Sequence, residues 1–337
     1  MTATHLEVVL AGPGQVRIDE VETSAPARGE LLIAPEAVGI CGTDMELLEG
    51  TMGYLTTGQS SYPLTPGHEW SGTVLAVGEG VDRFAVGDRV VGEAPIGCGV
   101  CALCVAGEYH LCLDRVETGF IRQPGALTQR FRYPARGAHR LPDHVSMQDA
   151  ALIEPTAVAY RGVRRLLAHG GDRLVVIGGG TIGLLCAMTA HALGLDDVLV
   201  VEPQPDRRRF AGDLGLQTSE SAVGSWPLVI EASGREPGMQ AALSATGVGG
   251  RLLLIGLCGR PSIPIDIDRI VLKDQTVIGN LSSPGVWPEV IDLVATGRLA
   301  PGRLVTHTFT LGQTDEAFAQ MEARDPGTVK IHVLPQS

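Results

Sequence analysis

Leu174-Val175-Val176-Ile177 runs straight into Gly178-Gly179-Gly180-Thr181-Ile182-Gly183 and then into an apolar stretch that ends near Leu193. A Gly-x-Gly-x-x-Gly spacing is common by chance, but a strand-like run before it and a helical run after it make it specific for the start of a βαβ unit. Gly178 permits the tight turn, Gly180 lets backbone approach a pyrophosphate, and Gly183 lets helix and strand close up. The helix N-terminus, at Thr181 and Ile182, can then face the phosphates. The segment is expected to bind a dinucleotide.

A second strand-like run, Val198-Leu199-Val200-Val201, ends at Glu202, about twenty residues on, where an acidic group hydrogen-bonds the ribose 2′-hydroxyl. A carboxylate there repels a 2′-phosphate, so the residues favour NAD over NADP. The counter-signal is Arg207 with Arg208 and Arg209, which could reach such a phosphate.

After Glu154-Pro155 strand-like runs alternate with helical ones: Leu174 to Ile177, Ile182 to Leu193, Val198 to Val201, Leu228 to Glu231, Leu252 to Ile255 and Val277-Ile278. Such alternation reads as an α/β, doubly wound parallel sheet with covering helices. Before that point the apolar runs are short and punctuated by Gly and Pro, as in Leu31-Leu32-Ile33-Ala34, which predicts a mainly β domain of barrel type. Past Trp287 come a helix (288–296), a strand (305–309), another helix (315–323) and a last strand (329–334) that is expected to return to the first domain. The expected division is 1–155, 156–286 and a returning segment 287–337.

Cys98, Cys101, Cys104 and Cys112 crowd into fifteen residues with the spacing Cys-x2-Cys-x2-Cys-x7-Cys. Four thiolates on one short loop can close a tetrahedron around zinc at about 2.3 Å per contact and leave no position open for chemistry. Two disulfides are the alternative, which the close two-residue spacings disfavour. Any chemistry is then expected elsewhere. Cys41, Cys186 and Cys258 remain, an odd set that suits a reducing compartment, and no secretory signal is evident at the amino terminus, so a cytoplasmic location is expected.

A net charge of −12, with Arg207-Arg208-Arg209 the only basic run, argues against a nucleic-acid partner. Residues 174–195 come nearest to a membrane span, but glycines, Thr181 and His191 interrupt them, so no membrane partner is expected.

Cys41-Gly42-Thr43-Asp44, Gly67-His68-Glu69 and Glu154-Pro155, taken with the four-cysteine loop, the glycine fingerprint and Ile230-Glu231-Ala232-Ser233-Gly234, resemble the zinc-dependent medium-chain alcohol and polyol dehydrogenases, and the resemblance covers nearly the full chain. It implies a GroES-like catalytic domain joined to a Rossmann domain, two zinc ions per chain, NAD, and a homodimer or homotetramer. It implies also that Cys41, His68 and Glu69 belong to a catalytic zinc site, with Glu154 as a fourth member that can alternate with water. Thr43 takes the place of the hydroxyl that accepts the alcohol proton. Glu46 stands where many relatives have a proton-relaying His, and Asp44 is expected to orient the ligands, a helix N-cap being its structural alternative.

Sorbitol-type relatives carry an Arg-Tyr pair shortly before a Trp-Pro, whereas this chain reads Leu281-Ser282-Ser283-Pro284-Gly285-Val286-Trp287-Pro288. Sorbitol itself is therefore disfavoured. The segment 51–62 is rich in hydroxyl groups, which suits a hydroxylated substrate if it borders the cleft and is otherwise a polar surface loop, and Phe120 matches a position that lines the pocket in those relatives, with a core residue as its alternative. The expected activity is hydride transfer between NAD and a secondary alcohol of a polyol, sugar, cyclitol or amino-substituted relative. The alternatives are an NADPH-linked ketone or aldehyde reductase and a non-catalytic nucleotide-binding protein.

Overall fold

Strand Glu30–Ile40 is apolar on both faces, with Leu31, Ile33, Val38 and Ile40 fully buried, and a strand with that pattern belongs inside a sheet rather than at its edge. The structure, a computed structural model, describes residues 3–167, 172–259 and 262–337. These form two compact units, one of residues 1–154, 287–296 and 300–337, the other of residues 155–286 and 297–299.

In the first unit the strands of the larger sheet lie in the order Ala138–Arg140, Arg89–Gly92, Glu69–Val77, Glu30–Ile40, Lys330–Leu334 and Val305–Thr310, and Phe131–Pro134 also pairs with Glu30–Ile40. Trp70 anchors the core, packed edge-on against Phe131 at 5.0 Å and Tyr133 at 4.8 Å. Register matters more for function than the core does. Val38 pairs with Trp70 and Gly39 with Glu69, while on the other side Ile331 pairs with Ile40 and His332 with Gly39. The end of Glu30–Ile40 is therefore flanked by Glu69 and by the start of the C-terminal strand. Cys41 follows immediately, as N-cap of helix Gly42–Glu49, which Gly50 ends in a left-handed conformation.

The second unit is an all-parallel sheet of six strands among the described residues, ordered Gln217–Ser219, Asp197–Val201, Arg173–Ile177, Trp226–Glu231, Thr246–Leu254, Thr276–Gly279. Counted along the chain the order is 3-2-1-4-5-6, the doubly wound arrangement whose ligands bind where the winding reverses, beside its first strand. Helix Thr181–Ala192 follows that strand directly.

The fold class expected from the sequence is the one observed, with most element ends shifted by a residue or two and the strand expected at Leu252 to Ile255 starting six residues earlier, at Thr246. The short strand Gln217–Ser219 was not anticipated, since a polar Gln-Thr-Ser run carries no strand pattern and is held by pairing with Asp197–Val201. Residues 174–195 are strand and helix, and among the described residues no helix is long and apolar enough to cross a membrane.

Candidate active site and metal centres

Because Gly39 pairs with Glu69, the residues just beyond the pair, Cys41 and His68, come together. One donor atom from each of Cys41, His68 and Glu69 lies within 4.8 Å of the other two. Gly39 has to lack a side chain, since a Cβ there would collide with the Glu69 carboxylate and the Lys330 stem.

Asp44, wholly buried, joins the two segments that carry the donors. Its Oδ2 accepts from the Cys41 amide at 2.9 Å and its Oδ1 from the Gly67 amide at 3.1 Å, while His68 Nδ1 lies 3.7 Å from Oδ1. Asp44 is the third residue of the helix and not its N-cap, which is Cys41, and through the Cys41 amide it forms the reciprocal half of a capping box. Burial raises its pKa, but the charge of His68 and the two amide donors outweigh that and bring the carboxyl below its ordinary range. Burial likewise works against charge on His68, yet Asp44 and Cys41 drive its pKa well above 6.5. The negative groups around His68 thus favour positive charge at this buried point. A soft thiolate, an imidazole and a carboxylate make a donor set that suits zinc with an exchangeable fourth position.

Glu154 is not among the three converging donors. Its carboxyl is buried and its pKa is pushed up to about 7, by burial first and by Glu69 and Glu117, while His68 and Lys330 pull it down. Thr43 and Glu46 lie one helical turn apart on Gly42–Glu49, hence on one face. Burial and Glu49 raise the Glu46 carboxyl.

Lys330 was missed by the sequence reading. Its Nζ meets Glu69 Oε2 and donates to the Ile40 carbonyl at 2.9 Å, and both side chains are buried. Burial alone would lower its pKa, but Glu69 and Cys41 raise it. The available signal was a lysine inside the apolar run Val329-Lys330-Ile331-His332-Val333, in a chain with only two lysines.

The four-cysteine loop holds its sulfurs within 4.8 Å of one another. Cys98 and Cys104 are 3.9 Å apart and Cys101 and Cys112 3.7 Å. A disulfide needs about 2.05 Å. Sulfurs bound to one tetrahedral zinc at about 2.3 Å stand about 3.8 Å apart. Amide donors from Val100 and Cys101 lower the Cys98 pKa to about 6, toward the thiolate that a metal requires.

At the nucleotide fingerprint Gly178 has φ +110°, and a Cβ on Gly183 would strike the Gly178 carbonyl oxygen. Glu202 is pinned at the end of Asp197–Val201, its Oε2 accepting from the Gly179 amide and its Oε1 from the Gln204 amide, each at 2.9 Å. Arg208 donates to the Glu202 and Pro203 carbonyls and Arg209 pairs with Asp206, whereas Arg207 is half-buried. Glu231 accepts from the Ser233 amide at 2.9 Å, which shapes the motif 230–234.

A cluster of thiol, imidazole and carboxylate donors, a closed four-thiol site and a doubly wound sheet with a pyrophosphate turn define a metal-dependent oxidoreductase built on a nucleotide-binding fold. Residues 27–143 match the alcohol dehydrogenase GroES-like domain and residues 181–296 the zinc-binding dehydrogenase family. The chain is 33% identical to 2-dehydro-3-deoxy-L-galactonate 5-dehydrogenase of Pseudoalteromonas atlantica, over 94% of this chain and 95% of that protein. It is 30% identical to sorbitol dehydrogenase of Bombyx mori, over 96% and 97%. A zinc-binding dehydrogenase from Sinorhizobium meliloti 1021, solved with NADP, superposes with a TM-score of 0.90 at 28% identity, covering 99% of this chain and all of that one. The chain belongs to the zinc-dependent medium-chain alcohol and polyol dehydrogenases.

Proposed function

We propose that the protein oxidises a secondary hydroxyl of a polyol, sugar, cyclitol or amino-substituted relative of these, with NAD as acceptor. The observation that carries this is the convergence of Cys41, His68 and Glu69 within 4.8 Å. The names of the relatives, a sorbitol dehydrogenase and a dehydrogenase of a sugar acid, support a hydroxylated substrate.

Bound zinc supplies Lewis-acid stabilisation of a substrate oxygen, and bound NAD accepts the hydride. Cys41, His68 and Glu69 would hold the metal, and Glu154 would supply a carboxylate able to take the place of water there. Asp44 fixes Cys41 and the turn before His68 through the two amides it binds. Thr43 takes the proton of the substrate hydroxyl and Glu46, one turn along the helix, passes it to solvent. Cys98, Cys101, Cys104 and Cys112 hold the second zinc, which serves the fold. Residues 1–155 and 287–337 form the catalytic part and 156–286 the NAD-binding part, with Gly178, Gly180, Thr181, Ile182 and Gly183 at the pyrophosphate and Glu202 at the ribose.

An acidic Glu202 favours NAD, and Arg207 is the residue that would serve NADP. A homodimer or homotetramer is supported by the edge strand Thr276–Gly279 and by the exposed Val271 and Leu272 in the preceding helix Ile267–Leu272. A cytoplasmic location is consistent with cysteines that form no disulfide among the described residues.

The test is a panel of sugars, polyols and aminocyclitols assayed by NADH absorbance. At least one should reduce NAD with a KM in the range of ~1 μM to 1 mM. Activity confined to NADPH-linked reduction of carbonyl compounds would overturn the reading.

A further inference from the structure

Beside the Cys41, His68 and Glu69 cluster stands a wall of side chains that the mechanism does not use. The Phe120 ring meets His68 edge-on at 5.5 Å. Tyr54 lies parallel to Phe120 with ring centroids 6.0 Å apart. Arg115 Nη2 donates to the Tyr54 hydroxyl at 3.2 Å, its Nε donates to Glu117 Oε1 at 2.5 Å and its Nη1 donates to the Cys112 carbonyl at 3.2 Å. Both members of the Arg115–Glu117 pair keep 12% of their side-chain surface exposed.

Three features set the chemistry of this wall. A guanidinium has five N–H donors, three of which are spent here on Glu117, Tyr54 and Cys112. The Tyr54 oxygen accepts from Arg115, which leaves its own proton free to donate. The second oxygen of Glu117 remains an acceptor. Donors and an acceptor thus sit side by side, on the half-buried Tyr54 and beside the buried Phe120 that meets His68. The charges of Arg115 and Glu117 cancel, so the wall matches neutral hydroxyl groups rather than a free carboxylate. The Cys112 carbonyl fixes the guanidinium from behind, which ties its aim to the four-cysteine loop.

We propose that Tyr54, Arg115 and Glu117 bind a hydroxyl of the substrate other than the one oxidised, and so set the preference for a polyhydroxylated substrate over a monohydric alcohol. This rests on the reading that Cys41, His68 and Glu69 form the oxidising site. A site built to hydrogen-bond a hydroxyl discriminates against the analogue that lacks it, because its own polar groups are then left unpaired.

The experiment compares kcat/KM for the best polyol with that for a monohydric secondary alcohol of similar carbon skeleton, in the wild type and in Tyr54→Phe, Arg115→Met, Arg115→Lys and Glu117→Gln, each checked for zinc content and thermal unfolding. The polyol-to-monohydric ratio is expected to fall about tenfold in Tyr54→Phe and further in Arg115→Met, mainly through KM of the polyol, with partial recovery in Arg115→Lys. A ratio that stays within about twofold of wild type in folded, zinc-replete variants overturns this proposal and leaves the oxidising site intact. A wild type that oxidises only monohydric alcohols, or neither class, overturns the substrate reading and this proposal together.

Discussion

Lys330 and Glu69 form an ion pair inside the first unit, the lysine arriving on the C-terminal strand and the carboxylate on the strand that follows His68, and both are almost fully buried. Of the two charges, Glu69 also offers an oxygen to the metal cluster. Lys330 and a metal ion bound by the cluster would therefore share the neutralisation of one carboxylate.

Replacing Lys330 with Met leaves Glu69 charged and without its cation in the zinc-free protein. Breaking a buried pair from one side costs about 3–5 kcal/mol. Zinc compensates the same charge, so the loss should be clearly smaller in the zinc-loaded protein. Denaturant unfolding of both forms, with and without chelator, checks this. Equal losses in the two forms would show that Glu69 faces only the lysine.

The reach of the sequence is clearest around this pair. Cys41, His68 and Glu69 were legible because a thiol, an imidazole and a carboxylate in a recognised order carry chemical identity, and the glycine turn was legible because backbone geometry leaves few residue choices. Lys330 was not, because it lies 261 positions after Glu69 and the pairing of Ile331 with Ile40 that brings it back is set by sheet register. Tyr54 was noticed only as part of the hydroxyl-rich segment 51–62, and Arg115 escaped for a similar reason: the hydrogen bond that joins them spans 61 residues and Arg115 has no motif of its own.

Glu202 is held by two backbone amides, that of Gly179 in the glycine turn and that of Gln204, so its carboxylate cannot swing away from an added phosphate at low cost. The wild type should bind NADH at least about tenfold more tightly than NADPH, and Glu202→Ser should narrow the gap by about the same factor. Fluorescence titration with both nucleotides measures it. Tighter binding of NADPH by the wild type would place Arg207 in control instead.

The sulfur spacings in the four-cysteine loop match a shared metal ion. Cys101→Ser should yield protein with one zinc per chain and a lower unfolding midpoint, whereas brief chelation of the wild type should remove the other ion first. Metal analysis before and after dialysis against chelator decides the matter. Loss of both ions at one rate would argue against a closed structural site.

His332 is wholly buried and neither ring nitrogen hydrogen-bonds another protein group. Burial, aided by Lys330, lowers its pKa from 6.5 to about 3. In that window the unfolded chain takes up a proton that the folded chain refuses, so stability falls as pH drops below 6.5, by about 2 kcal/mol at pH 5 relative to pH 7. His332→Gln should remove this part of the slope. Urea unfolding of both proteins at the two pH values provides the comparison, and identical slopes would exclude His332 as the source.

The most direct test of the account as a whole is His68→Ala, assayed together for zinc content, NADH binding and turnover. The expected result is one zinc per chain, unchanged NADH affinity and no detectable oxidation of a substrate that the wild type accepts. Two zinc ions retained with turnover preserved would contradict the assignment of Cys41, His68 and Glu69 as the centre of the chemistry.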